Sequence, residues 1–347
     1  LYGKLGLPID FSELTEKQPF FGQVQLSGGK EIFKKNFLNN ISSPVDRSKI
    51  KLPPYLPNDP VLIEEYARHY DAIQITDKRV GEIVKGLKEN KVLKNTIVFF
   101  FSDHGMRITR NKQFLYEGGL HVPLLIADFT NQYKPILKGT SNSELVSGLD
   151  IGTTSLAIAE IEIPDFMEGR SLFTNPPREY VISTRDRCDF TIDRIRSVRS
   201  KNFKYIKNFM TDRSYTQPTY MDVSGVEFVK TMRKLKKEGK LNSAQGRFMS
   251  DFRPSEELYD IVSDPFELKN LAFEKEYEFT LKAHAKILED WILKTDDTGQ
   301  YLKFMLEIWG DHIVNPEYEA LKNKYPGIAG SKKHILKEQY QKVIMTD

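Results

Sequence analysis

Asp103 and His104 follow a wholly apolar run, Ile97–Phe101, after the single residue Ser102, and they directly precede Gly105. A neighbouring carboxylate and imidazole can supply oxygen and nitrogen ligands to a divalent cation. Lys112 follows in the same stretch and offers a cationic group for an anionic oxygen. The alternative is structural, with Asp103 capping a turn that Gly105 closes. On these residues alone both interpretations remain equally open.

The elements around this stretch indicate where its side chains lie. The run Ile97–Phe101 predicts a strand buried on both faces of a mainly parallel sheet. Open α/β sheets bind ligands beyond the carboxyl ends of their strands, which is where Asp103 and His104 fall. A second strand is predicted over Val122–Ala127. A helix from Val61 to about Asn90 is expected to pack on the sheet through an apolar face that includes Tyr66, Tyr70, Ile73, Val80, Val84 and Leu87.

The second half of the chain has a different pattern. The proline-broken segment at Thr174 predicts a boundary between domains 1–174 and 175–347. Beyond it we expect an antiparallel sheet from strands at 179–184, 192–199, 203–209 and 257–260, and then a helix from about Glu274 to Leu293. Asp150 is predicted to be the N-cap of a helix that begins at Ile151. The segment 211–255 is basic and poorly periodic, and the tail to Asp347 is expected to dock through Trp309, Tyr318 and Tyr325.

Composition excludes several classes of protein. The 347 residues carry a formal net charge of +3, which is too small for a nucleic-acid-binding footprint. One cysteine, Cys188, excludes an internal disulfide framework and a thiolate metal cage. No window approaches the roughly 20 apolar residues of a membrane span. Because the chain begins at Leu1, we expect further sequence upstream in the gene product.

Three motifs together resemble a known family. They are Ser102-Asp-His-Gly105, Lys112-x-x-x-Tyr-Glu-Gly-Gly119 and Val122-Pro123. They look like the second half of the catalytic domain of a type I sulfatase, in the alkaline phosphatase superfamily. The resemblance implies that Asp103 and His104 ligate a divalent metal, Ca²⁺ rather than Zn²⁺, and that Lys112 binds the sulfate group. It extends from about residue 19 to about residue 293.

Other residues fit this resemblance less closely. Pro19–Leu26 is predicted to be a strand that leads to a tight loop, and Lys30 stands where the family usually has a catalytic histidine. A lysine there can donate to the leaving-group oxygen or bind sulfate. The charged run after Arg185 most resembles bacterial heparan N-sulfatase-like (sulfamidase-like) enzymes, although most of its charges are expected on the solvated face of strands. His121 replaces a common arginine, and a structural role is favoured for it, as for His69, His284, His312 and His334.

The family's nucleophile is absent from the sequence. A type I sulfatase carries it in a Cys/Ser-x-Pro-x-Arg element that is converted to formylglycine, and Cys188 lies in no such element. We therefore expect formylglycine upstream of Leu1, and with it the rest of the metal site. The predicted function is hydrolysis of a sulfate ester, or a sulfamate, on a carbohydrate by a periplasmic or secreted enzyme. The alternatives are a zinc-dependent phosphodiesterase or phosphatase of the superfamily, and a non-catalytic glycan-binding relative.

Overall fold

The computed structural model describes residues 18–108, 110–133, 139–188, 191–211, 214–216 and 227–297, with residues 11 and 14. Its helices are α1 Pro60–Glu89, α2 Glu117–Leu120, α3 Leu149–Ile158, α4 Glu227–Lys237, α5 Ser243–Arg247 and α6 Glu278–Thr295. Its strands are β1 Ile97–Phe101, β2 Leu124–Asp128, β3 Tyr180–Cys188, β4 Thr191–Ser200, β5 Phe203–Asn208 and β6 Glu256–Asp260. No helix within these ranges is long and apolar enough to cross a membrane.

The chain forms two compact units that alternate along the sequence. The first contains Leu1–Ile50, Ile63–Asp103 and Val122–Asn142, and the second contains Lys51–Leu62, His104–His121 and Ser143–Asp347. One of the points at which the chain passes from one unit to the other therefore falls between Asp103 and His104. The predicted domain boundary at Thr174 stays a prediction.

Helix α1 confirms the long helix expected near Val61. The Asp59 carboxylate accepts the Val61 N–H at 2.9 Å, which satisfies a donor of the first turn. The predicted apolar face was partly wrong, because Tyr70 and Ile73 are exposed. The buried positions instead include Ala72 and Ile75, which pack with Ile32 and Phe37.

Strands β1 and β2 confirm two predicted strands and pair antiparallel, with Ile97 opposite Asp128 and Phe101 opposite Leu124. Strand β1 is half-buried and Phe101 is exposed. The expectation of burial on both faces was therefore wrong, because β2 is its one strand neighbour among the described residues. The strand predicted over Pro19–Leu26 is also absent, since this segment has no regular structure and is followed by a 3₁₀ helix, Gly28–Phe33.

The second unit contains the predicted antiparallel sheet, in the order β3-β4-β5-β6. One of its faces packs on α6 through an apolar core of Val198, Tyr205, Leu258, Leu271 and Leu288. Thus the C-terminal sheet-and-helix prediction is confirmed. The tail predicted to dock, with Trp309, His312 and His334, lies outside the described residues.

The opposite face of this sheet is polar and buried, and we call it the polar sheet face. Because paired residues share a face, the register brings Arg199, Lys204 and Tyr259 together, and likewise Ser197, Ile206 and Glu257. At one end the Arg253 guanidinium bonds both oxygens of Asp193, at 2.8 and 2.9 Å. The prediction that most charges here are solvated was wrong, because buried partners neutralise them.

Two further segments differ from expectation. Asp150 lies in the first turn of α3 and is not its N-cap, although its buried carboxylate accepts the Ser147 N–H at 2.8 Å. It also forms an ion pair with Arg178. The poorly periodic segment 211–255 contains α4, an amphipathic helix with Phe228, Val229, Met232 and Leu235 buried.

Candidate functional site

The turn after β1 places Asp103 at the end of the first unit. The Ser102 N–H donates to the Pro123 carbonyl at 3.2 Å, which extends the β1–β2 contact into the turn. Asp103 follows and is exposed. A carboxylate held by a paired strand end and open to solvent has the chemistry of a hard cation ligand.

His104 opens the segment His104–His121 of the second unit, which we call the motif loop. Its Nδ1 lies 2.8 Å from the Gly105 carbonyl oxygen. A carbonyl only accepts, so Nδ1 carries the proton and Nε2 keeps the lone pair in the neutral ring. This is the tautomer that a metal-ligating histidine needs, with its other nitrogen fixed by a backbone carbonyl.

Glycines fold the motif loop tightly on itself. The Gly105 N–H donates to the Gly119 carbonyl at 3.2 Å. A Cβ at Gly105 would lie 1.9 Å from the Gly118 carbonyl oxygen, and one at Gly119 would lie 2.2 Å from the Phe114 carbonyl oxygen. The glycines are thus required by backbone approach, which brings the two ends of the loop together.

Lys112 lies in the sequence between Gly105 and Gly119. Its N–H donates to the Met106 carbonyl at 2.9 Å, and its side chain is half-buried. The preceding Asn111 is buried and accepts the Tyr55 hydroxyl at 3.3 Å. Two hydrogen bonds therefore hold the chain at Lys112 and at the residue before it.

The polar sheet face holds the motif loop through Tyr116. The Tyr116 hydroxyl donates to Glu257 on β6 at 2.9 Å. The same carboxylate accepts three more hydrogen bonds, from Tyr215 at 2.6 Å, Tyr259 at 2.5 Å and Asn208 at 2.7 Å. Four donors compensate the complete burial of Glu257. Burial, together with Glu257, raises the pKa of the Tyr116 hydroxyl well above its usual value, so it remains a donor.

Glu117 makes the second attachment. Its carboxylate lies 2.6 Å from the Lys204 ammonium and 3.0 Å from the Arg199 guanidinium. Its backbone N–H donates to Glu267 at 2.9 Å, and Lys204 also lies 3.3 Å from Glu267. Lys204 is fully buried and bridges the two carboxylates, so β5 is joined to the loop by charge-assisted contacts.

These contacts change the acidity of the groups involved. Burial raises the pKa of Glu117, but His121, Lys204 and Arg199 lower it more, and the result is well below its usual range. Burial dominates at Glu267 and raises the pKa of that carboxyl despite Lys204. The hydrogen bond to Glu117 raises the pKa of His121.

Arg110 braces the loop from within. Its guanidinium lies 4.2 Å from the centre of the Tyr116 ring and 4.7 Å from that of Tyr55. It also donates to the Glu267 carbonyl at 3.1 Å. A buried cation stacked between two rings resists displacement of either ring.

The predicted site residues are distributed over both units. Lys30 lies in the first unit, exposed in a 3₁₀ helix rather than at a strand end, which removes the strand that was expected to position it. Asp103 ends that unit, whereas His104 and Lys112 belong to the second. Within the described ranges there is no group of three or more His, Cys, Asp or Glu side chains that could hold a metal.

Sequence reasoning missed the residues that support the motif loop. Glu117 was noted as part of a motif, but its partners Arg199 and Lys204 come from strands far along the chain. Glu257 and Glu267 were not recognised as buried at all. The one local signal was the lysine at position 204 between aromatic residues, Phe203 and Tyr205, which marks a charged side chain in an otherwise packed strand.

A family model and two similar proteins of known function indicate the sulfatases. A family model described as sulfatase matches residues 11–161. An ulvan-active sulfatase of Formosa agariphila is 36% identical over 277 residues, which are 78% of this chain and 45% of that protein. Human N-sulphoglucosamine sulphohydrolase is 26% identical over 273 residues, which are 73% of this chain and 52% of that protein. The chain thus spans about half the length of these relatives.

A solved structure shows the same fold. It is that of yidJ from Bacteroides fragilis, a protein assigned to the sulfatases, with a TM-score of 0.50 and 20% sequence identity. The match covers 71% of this chain and 47% of that chain. The likeness confirms the predicted α/β fold class with its C-terminal antiparallel sheet.

Proposed function

The chain belongs to the sulfatase family, and from this premise we propose that it is part of a sulfuric ester hydrolase acting on a sulfated carbohydrate. The observation that supports the proposal is the motif loop, in which the His104 ring bonds a backbone carbonyl and the Lys112 N–H bonds the Met106 carbonyl on the same segment. The relatives' names support a sulfated carbohydrate, since one is active on ulvan and another is an N-sulphoglucosamine sulphohydrolase. A sulfamate is the finer alternative within this class.

Each site residue has a chemical role in this proposal. The Lys112 ammonium would bind the sulfate oxygens and stabilise the charge that develops on them in the transition state. Lys30 would donate to the leaving-group oxygen. The nucleophile of the reaction would be a formylglycine supplied outside residues 1–347, because the sequence holds no Cys/Ser-x-Pro-x-Arg element.

Asp103 and His104 are the residues that would hold a divalent metal. The His104 tautomer fits this role, because its Nε2 carries the lone pair while Nδ1 is bonded to a carbonyl. When bound, the metal supplies Lewis-acid polarisation of the sulfate group. We propose Ca²⁺, although an imidazole ligand is also well suited to Zn²⁺.

The test is a paired assay on the protein expressed from the complete gene. Hydrolysis of an aryl sulfate and of the matching aryl phosphate would be measured on the same preparation, together with its metal content. We expect faster turnover of the sulfate and bound Ca²⁺. Faster turnover of the phosphate with bound Zn²⁺ would replace the sulfatase by a phosphatase or phosphodiesterase of the same superfamily.

A further inference from the structure

Helix α4 presents a stripe of cations that takes no part in the site described above. Lys230, Arg233, Lys234 and Lys237 recur at intervals of three and four residues, so they share one side of the helix. The buried residues of α4, Phe228, Val229, Met232 and Leu235, lie on the other side. The stripe spans eight residues, or about 10 Å along the axis.

The charge of α4 is unusual for this chain. The helix carries five basic residues against one acid, Glu227, a net charge of +4, whereas the whole chain has +3. Helix α6 provides a contrast, because its three lysines are balanced by Glu278, Glu289 and Asp290. Two of those lysines pair with acids four residues away on the same helix, Lys282 with Glu278 and Lys286 with Asp290.

Glu227 and Glu238, two acids that lie close to lysines of the α4 stripe, are weak competitors for an anionic ligand. Lys230 pairs with Glu227 at 2.9 Å and Lys234 lies 4.0 Å from Glu238, both on the surface. Exposed pairs of this kind are screened by water and salt and add little to stability. A ligand with several closely spaced anionic groups can therefore replace these contacts with little loss.

From this arrangement we propose that α4 is a binding surface for a sulfated polysaccharide, with the stripe Lys230, Arg233, Lys234 and Lys237 contacting successive sulfate groups. The choice of ligand rests on the proposed function, which places sulfated carbohydrate at the enzyme. The side chains themselves also favour it. Apart from its buried residues, α4 has no aromatic side chain on which a nucleic-acid base could stack and no apolar side chain that could enter a bilayer.

The experiment measures binding of the protein expressed from the complete gene to heparin, as a sulfated polysaccharide, over a range of salt concentrations in buffer containing EDTA. The test variant replaces Lys230, Lys234 and Lys237 by Gln. A matched control replaces Lys282, Lys286 and Lys294 on α6 by Gln, which removes the same charge. A third variant replaces the three α4 lysines by Arg and keeps the charge.

We expect the α4 Gln variant to bind heparin at least about tenfold more weakly, with a shallower salt dependence, because fewer counterions are displaced. The α6 control and the α4 Arg variant should stay within about twofold of the native chain. Equal losses in the α4 and α6 Gln variants, or no loss in the former, would overturn the proposal. So would single-stranded DNA or anionic phospholipid vesicles that bind as tightly as heparin at the same salt concentration. Because EDTA removes metal and no turnover is measured, failure here is separate from failure of the sulfatase proposal.

Discussion

His121 is the exposed end of the charged cluster around Glu117. Its side chain is 81% exposed and its Nδ1 lies 3.5 Å from the Glu117 carboxylate. The hydrogen bond to Glu117 raises the pKa of His121 above 6.5, although partial burial and the nearby cations Arg199 and Lys204 act against this. With a raised folded-state pKa, the pair stabilises the fold fully below pH 6.5 and loses that effect as pH rises through the folded-state pKa.

We predict that an NMR titration of the His121 ring gives a pKa above 6.5 in the native chain. In Glu117→Gln the pKa should fall to 6.5 or below, because the carboxylate is lost while Lys204 and Arg199 remain. Glu238→Gln, on the surface after α4, is the control and should leave the titration unchanged. A His121 pKa that is the same with and without the Glu117 carboxylate contradicts this pairing.

At the residue scale, the sequence could indicate which side chains can carry the chemistry, but it could not indicate which distant residues hold the motif loop in place. Asp103, His104 and Lys112 could be proposed as site residues because their types and spacing lie within one short stretch. The partners of Glu117 could not be found in this way, since Lys204 is brought to it by strand register. Whether a lysine in an alternating strand faces water or a buried carboxylate depends on what covers that face, which no local pattern records.

At the scale of elements, the polar sheet face is the support for the motif loop. Strands β4, β5 and β6 contribute Arg199, Lys204 and Glu257, and these contact Glu117 and Tyr116. The opposite face packs on α6. One face of this sheet therefore forms an apolar core, and the other face binds the loop that carries Lys112 through charged and polar contacts.

We predict that Lys204→Met destabilises the fold by about 3–5 kcal/mol, because Glu117 and Glu267 would lose a shared buried cation. The matched control is Lys207→Met on the same strand. Lys207 is partly exposed and lies 3.5 Å from Glu256, so its loss should cost about 0–1 kcal/mol. Urea unfolding of both variants measures the difference. Similar losses in the two variants would show that Lys204 is no more important than a surface lysine.

Strands β1 and β2 leave large apolar side chains exposed. Phe101 is 44% exposed and Leu125 on β2 is 58% exposed. Apolar residues on a two-stranded sheet invite pairing with other chains. We predict that the purified 347-residue chain is poorly soluble and that Leu125→Lys reduces its association. Light scattering at rising concentration measures this, and a native chain that stays monomeric throughout contradicts the prediction.

Most helices and strands could be predicted from the sequence, but which of their side chains are buried could not. Helix α1 and strands β1 to β6 follow from periodicity and from turn residues. The buried side of α1 was misplaced because Tyr70 and Ile73 look apolar but face solvent, whereas the small Ala72 is buried. Helix α4 was missed because its five cations obscure a short apolar stripe.

At the scale of the whole molecule, the chain spans about half the length of its relatives. Its sequence contains no Cys/Ser-x-Pro-x-Arg element, from which the proposed formylglycine nucleophile would be made. We predict that the purified 347-residue chain hydrolyses no aryl sulfate, with or without added Ca²⁺. Sustained turnover by this chain alone would contradict the proposal that the nucleophile lies outside residues 1–347.

The proposal that Lys112 binds the sulfate group is the central claim, and its most direct measurement is kcat/KM for an aryl sulfate. The native protein and Lys112→Ala would both be expressed from the complete gene, with the exposed Lys94→Ala as control. Loss of a cation that stabilises developing charge predicts a fall of about 10²- to 10³-fold for Lys112→Ala. The Lys94→Ala variant should retain native activity. A kcat/KM for Lys112→Ala within about twofold of the native value would contradict the claim.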